Sequence, residues 1–226
     1  MQKVLITGCS GYIGQHLAKW MSDKYEVYGL DIVEPADPSP FKKIILGSGS
    51  PRRKQLLEGL GWPVTVIKKD VDETIVPGLN GETIAMLLAE KKAKAFDGEL
   101  SPDELLITAD TIVCLEHQVL GKPEDRNDAI SMLKRLQGKT HQVFTGVCLT
   151  IDTKRHCFAI ETVVTFHPLS DSAIESYIDH YQPYDKAGAY AIQEWIGVVG
   201  ISSIQGDFYN VMGLPVSRVV KALSTL

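Results

Sequence analysis

Ile44-Ile45-Leu46-Gly47-Ser48-Gly49-Ser50-Pro51-Arg52-Arg53 is the stretch on which the fold turns. Three apolar residues run into a Gly/Ser turn, and the turn runs into Ser-Pro. That order reads as strand, tight turn, helix start. Ser50 has the side chain of an N-cap, and Pro51 suits the first helical position. Backbone N–H groups at such a helix start attract anions. Arg52 and Arg53 in the first turn oppose the helix dipole. Their placement makes sense if a polyanion such as a phosphate chain sits beside them.

Working outward, the 226 residues suffice for one large domain with a real core: 44% are hydrophobic and 23% charged. A net charge of −5 argues against a general binder of nucleic acid or anionic membranes, so any basic site must be local. No apolar run approaches the roughly 20 residues of a membrane span. No cleavable signal pattern follows the apolar start, which Thr7-Gly8-Cys9-Ser10-Gly11 interrupts. Cys9, Cys114, Cys148 and Cys157 show no CxxC pairing and are expected to be reduced thiols of a cytoplasmic protein. The histidines show no metal-ligand spacing.

Two unequal parts are expected, residues 1–40 and 42–226. The first opens with a short strand, Lys3-Val4-Leu5-Ile6. Gly8, Gly11 and Gly14 follow, then a helix through Leu17 and Trp20, then a second strand from Tyr25 ending at Asp31. Glycines and acid at that spacing fit a dinucleotide-binding turn with a ribose-binding carboxylate. The stretch resembles the first β-α-β of extended short-chain dehydrogenases and sugar epimerases. That resemblance implies a Rossmann-like appendage and, in principle, an NAD-binding oxidoreductase. However, no tyrosine in the chain has a lysine four residues on, as that family's catalysis requires. One β-α-β unit also lacks the second half of a dinucleotide cleft. Pro35, Pro38 and Pro40 then make a stiff linker. The expectation is a truncated or fused remnant without a working NAD site.

The second part alternates strands and helices. Strands are expected at Lys43–Leu46, Val64–Ile67, Leu105–Ala109, Thr111–Leu115, Val143–Thr150, Ala159–Phe166 and Gly197–Ile204, with a hairpin connection at Glu116-His117-Gln118. Helices are expected from Pro51 to about Leu60, Thr83 to Phe96, Asp128 to Gln137, from Ser172 with Glu175 as a capping box, and from Pro215. The class is α/β, a mixed β-sheet flanked by helices.

Four further strings stand out: Asp70-Val71-Asp72-Glu73-Thr74, Ala109-Asp110-Thr111 where a strand ends, Gly121-Lys122-Pro123, and Tyr190-Ala191-Ile192-Gln193 after Lys186-Ala187-Gly188. Each alone is weak, because acids near strand ends often cap turns. Taken in this order with Ser48, Ser50, Arg52, Arg53 and Leu88-Ala89-x-x-Lys92-Ala93, they match one pattern. Residues 42–226 resemble the Maf nucleotide pyrophosphatases, whose fold is similar to that of the inosine-triphosphate pyrophosphatases.

The resemblance implies hydrolysis of a nucleoside triphosphate to monophosphate and pyrophosphate with help from Mg²⁺ or Mn²⁺. It makes Asp110 the base that takes the proton of the attacking water, and Glu73, with Asp110, a holder of the metal. Arg52, Arg53, Lys92 and Lys122 would stabilise the leaving pyrophosphate, and Ser48 and Ser50 would line the phosphate turn. Arg52, Thr111 and Gln193 match the branch acting on dTTP and UTP; a glutamine amide offers the donor and acceptor that a uracil or thymine edge needs. A homodimer is implied as well. Maf-like proteins are also associated with septum and division control, so a nucleotide-binding regulator is the alternative. Glu90-Lys91-Lys92 departs from the commoner order of a basic residue, an acid and a lysine, leaving Lys91 as a surface residue.

Overall fold

The computed structural model describes residues 3–7, 26–30, 41, 43–75 and 78–224. Lys3–Thr7 (β1) and Glu26–Leu30 (β2) pair in parallel, with Lys3 opposite Glu26 and Thr7 opposite Leu30. Gly8, Gly11, Gly14 and Asp31 of the dinucleotide-binding reading lie outside the described residues.

The remaining strands are β3 (Lys43–Leu46), β4 (Val64–Val66), β5 (Glu104–Leu115), β6 (Gln118–Leu120), β7 (Thr140–Ile151), β8 (Lys154–Phe166) and β9 (Ile201–Gln205). They form one sheet in the order β4-β3-β5-β7-β8-β9, with β6 pairing on β5. β4, β3 and β5 are mutually parallel, and from β5 onward the pairing is antiparallel. The helices are α1 (Pro51–Glu58), α2 (Gly81–Lys94), α3 (Arg126–Leu136), α4 (Asp171–Tyr181), α5 (Trp195–Gly200), α6 (Phe208–Met212) and α7 (Val216–Leu223).

Side chains alternate across a strand, so each face of the sheet builds its own core. Ile44, Leu46, Leu105, Ile107 and Leu149 pack with Leu57 of α1 and Val216 and Val219 of α7. Their neighbours Ile45, Leu106 and Cys148 turn to the other face and meet Ala89 and Ala93 of the second half of α2 and Phe96 just beyond it. A third cluster, under α3 and α4, gathers Val113, Leu133, Leu136, Val143, Ile174 and Ile178. Covering on both faces is why the central strands read as apolar runs.

Four expectations need correcting. Leu105–Ala109 and Thr111–Leu115 are halves of one unbroken strand, β5, held by β7 from Leu105 opposite Ile151 to Cys114 opposite Gln142. Gly197–Ile204 is not one strand. The helix α5 runs to Gly200 before β9 begins, and Gly197 sits so close to Ile192 that a Cβ there would lie 1.7 Å from the Ile192 carbonyl oxygen. The fourth helix is capped two residues earlier than expected, by Ser170, whose hydroxyl accepts from the Ala173 N–H. Finally, Cys148 and Cys157 stand directly opposite each other on β7 and β8, Cα–Cα 4.1 Å, and are joined as a disulfide; Cys114 is free and buried. Register alone brings the pair together, and spacing in sequence does not reveal it.

His141 of β7 is buried, with Nε2 2.7 Å from Tyr190 Oη and Nδ1 without a hydrogen-bond partner among the described residues. Burial pushes its pKa down to about 4. The unfolded chain takes up this proton below about pH 6.5, and the folded chain does so only near pH 4. Stability is therefore lost as pH falls through that window, by up to about 3 kcal/mol. Thermal denaturation at a series of pH values checks this. His141→Gln is expected to flatten the acid slope, and an unchanged slope would contradict the assignment.

Candidate active site

Two chain facts open a cleft at the parallel end of the sheet. β3 stops at Leu46, opposite Ile107, and the chain turns away into α1, while β5 runs on for eight more residues. Asp110 and Thr111 lie just past that stop and are partly exposed between two buried stretches of the strand. The acid expected at a strand end thus sits in mid-strand, at the end of its neighbour. This is the carboxyl end of parallel strands, where open α/β sheets place ligands.

The first wall is the quoted turn and α1. Ser50 is the N-cap and Pro51 the first helical residue. Ser48 Oγ accepts from the Ser50 N–H (3.3 Å). Arg53 is buried and points inward. Its Nε donates to Gly213 O (2.8 Å), Nη1 to Ser48 Oγ (3.0 Å) and Nη2 to Thr111 Oγ1 (3.1 Å). All three partners are neutral. Burial lowers the Arg53 pKa below its usual value, while the charges of Asp110 and Glu73 pull the other way. No carboxylate among the described residues pairs with it directly. Buried charges are normally paired, and this guanidinium has no direct ion-pair partner among the described residues. Arg52 is half-buried, with Nη1 3.3 Å from Asp185 Oδ2.

The second wall is α2. Opposite Asp110 stands Gly146 of β7, where a Cβ would lie 2.1 Å from the Ala85 carbonyl oxygen. Only glycine lets the α2 backbone come this near the sheet. Ala89, one turn on, accepts from Thr108 Oγ1 (2.7 Å), and Lys92 on the same face reaches the cleft. The Lys92 ammonium contacts Asp110 Oδ1 and lies 2.9 Å from Glu73 Oε1.

The loop after β4 supplies Glu73. Asp72 accepts from the Thr74 N–H (3.0 Å) and pairs with Lys91 (2.9 Å). Asp72 thus caps its own turn, and Lys91 ties that turn to α2. Partial burial works against the charged form of Glu73, but Lys92 outweighs it, with Lys122 and Arg53 behind, and holds the carboxyl below its usual range.

Ser48, Ser50, Arg52, Arg53, Glu73, Lys92, Asp110, Thr111, Lys122 and Gln193 all line this one cleft, about 530 Å³ in volume. Lys122 is exposed on its turn and forms no ion pair among the described residues; Gln193 is exposed, and its amide makes no internal hydrogen bond there. Thr111 is less free, since its hydroxyl also meets Thr145 Oγ1 (2.9 Å). Sequence reasoning assigns no site role to Asp185 and Glu194, which both pair with Lys186 beside Gln193, to Lys186 itself beyond its place in the quoted string, or to Gly213, whose carbonyl accepts from Arg53. The signal available for Gly213 was a glycine two residues before a proline, a helix stop; its φ is 115°.

The family model for the Maf-like protein matches residues 43–226. The chain belongs to the Maf family. A Bacteroides fragilis protein described as a dTTP/UTP pyrophosphatase is 52% identical over 185 residues, which is 81% of this chain and 96% of that one. Proteins of the same description from Bacteroides thetaiotaomicron (51% identical; 81% of this chain, 96% of that one) and Flavobacterium johnsoniae (47% identical; 81% and 95%) align over a similar span. In this Maf chain the matched span contains every residue of the cleft. Among the described residues, no helix is long and apolar enough to cross a membrane.

Proposed function

We propose that this Maf protein hydrolyses dTTP and UTP to the nucleoside monophosphate and pyrophosphate. The observation that carries the reading is Arg53: a buried cation held by three neutral oxygens, beside a helix N-terminus, in a cleft open to solvent. A triphosphate supplies the missing negative charge.

Water attacks the α-phosphorus, and the bond to the bridging oxygen of the pyrophosphate breaks. Asp110 accepts the proton of that water. Arg52, Arg53, Lys92 and Lys122, with the N–H groups after Ser50, stabilise charge developing on the leaving group. Ser48 orients Arg53. Lys92 holds the Asp110 and Glu73 carboxylates converged on one point, and its charge keeps the Glu73 carboxyl below its usual range.

That convergence fits a divalent metal. Glu73 and Asp110 would hold it, and both offer the hard oxygens that Mg²⁺ or Mn²⁺ prefer. No group of three or more His, Cys, Asp or Glu side chains able to hold a metal occurs among the described residues. Two carboxylates suit an ion that arrives with the phosphates and keeps several waters. When bound, it would neutralise phosphate charge and polarise the attacked phosphorus.

Gln193 is the base reader, its donor and acceptor both unpaired among the described residues, and Arg52 and Thr111 complete the recognition, Thr111 through Arg53. The homodimer implied by the resemblance belongs to the same reading, as does a cytoplasmic location. No part in this chemistry is assigned to residues 1–40. Purified protein with Mg²⁺ or Mn²⁺ and a panel of triphosphates tests the proposal. Selective pyrophosphate release from dTTP and UTP is expected. Turnover confined to purine nucleotides would overturn the base assignment.

A further inference from the structure

The segment that carries Gln193 is held by groups that the hydrolytic chemistry leaves unused. Tyr177, buried on α4, accepts the Ala191 N–H (3.3 Å) and donates to Glu194 Oε2 (2.5 Å). A single phenol thus clamps the chain on both sides of Gln193. The other Glu194 oxygen lies 3.4 Å from Lys186 Nζ, and the same ammonium is 2.7 Å from Asp185 Oδ1. Asp185 Oδ2 then reaches Arg52 on the opposite wall. Partial burial opposes the charge on Asp185, but Lys186 and Arg52 outweigh it and keep the carboxyl below its usual range.

The charges alternate along this relay: Arg52 positive, Asp185 negative, Lys186 positive, Glu194 negative. Lys186 is its centre and only 9% exposed. Without it, two carboxylates would face each other, and Glu194 would lose its link to the Asp185–Arg52 pair on α1. The Gly188 N–H, donating to Gly121 O (2.9 Å), fixes the same segment to the turn that presents Lys122.

We infer that the relay from Tyr177 through Glu194, Lys186 and Asp185 to Arg52 sets pyrimidine discrimination, with Lys186 as a positioning residue. It rests on the reading of the cleft as a triphosphate site and names what makes that site selective. A base is rejected only if the reading amide cannot shift to suit it. Gln193 makes no internal hydrogen bond among the described residues, so its selectivity depends on how rigidly its backbone is held relative to Arg52.

The test compares UTP, CTP and a ribose 5-triphosphate that lacks the base, in wild type, Lys186→Met, Lys186→Arg and Glu194→Gln, with melting temperatures. Lys186→Met is expected to narrow the UTP-to-CTP ratio of kcat/KM by about tenfold, mostly through KM for UTP. Turnover of the base-free triphosphate should stay within about twofold, and Lys186→Arg should restore much of the ratio. If Lys186→Met does not fold, Glu194→Gln carries the test, because it removes the charge and keeps an acceptor for Tyr177. An unchanged ratio, or an equal fall on all three substrates in step with melting temperature, overturns the inference. Wild-type protein that cleaves no triphosphate defeats the underlying reading; a selective wild type with equally selective variants defeats the inference alone.

Discussion

Asp110→Asn is expected to lower kcat for pyrophosphate release by about 10²- to 10⁴-fold, the usual contribution of a positioned proton acceptor. Asparagine keeps the shape and removes the basic oxygen. Asp110 faces the cleft with its side chain 15% exposed, and Lys92 retains Glu73 as a partner, so the fold should survive. The melting temperature should move by only a few degrees, as expected of a loss near 1 kcal/mol. KM for dTTP should change less than kcat, because the cationic side chains proposed to hold the phosphates are untouched and Glu73 still faces the proposed metal. An Asp110→Asn enzyme within about threefold of wild type would remove Asp110 as the base, because a proton acceptor worth at least 10²-fold would be missing.

Gly146→Ala should act through the fold and reach the same chemistry. The added methyl meets the carbonyl oxygen of Ala85, so α2 must move off the sheet. Overpacking against backbone costs about 3 kcal/mol, which for a chain of this size lowers the melting temperature by roughly 10 °C. A shift of α2 near 1 Å carries Lys92 away from Asp110 and Glu73, and misplacement of that order can cost about 10²-fold in rate. Trimming Ala85 to glycine should not rescue the variant, because the clash is with the main chain. Rescue by Ala85→Gly, or a variant as stable and active as wild type, would contradict this role for Gly146.

Much of this architecture can be read from the sequence because local and tertiary signals agree. Ser50-Pro51 after Leu46 marks strand, turn and helix without ambiguity, and the helix starts there. Elsewhere they conflict. Asp110-Thr111 interrupts an apolar run, which locally means a strand end. In the fold β7 supports the strand throughout, and the polarity marks the point where β3 stops. Ile196-Gly197-Val198-Val199-Gly200 has strand-like composition, yet it forms the short helix α5, packed against Ile192. The cleft residues are legible as motif letters, but their mutual geometry is not. Arg52 and Asp185 are 133 residues apart. The closeness of α2 to β7 depends on one glycine 61 positions after the alanine it faces.

The most direct test of the central claim is to hydrolyse dTTP in water enriched in heavy oxygen and locate the label by mass spectrometry. Attack at the α-phosphorus predicts labelled dTMP and unlabelled pyrophosphate. Label in orthophosphate with dTDP as the other product, or in pyrophosphate, would contradict the account.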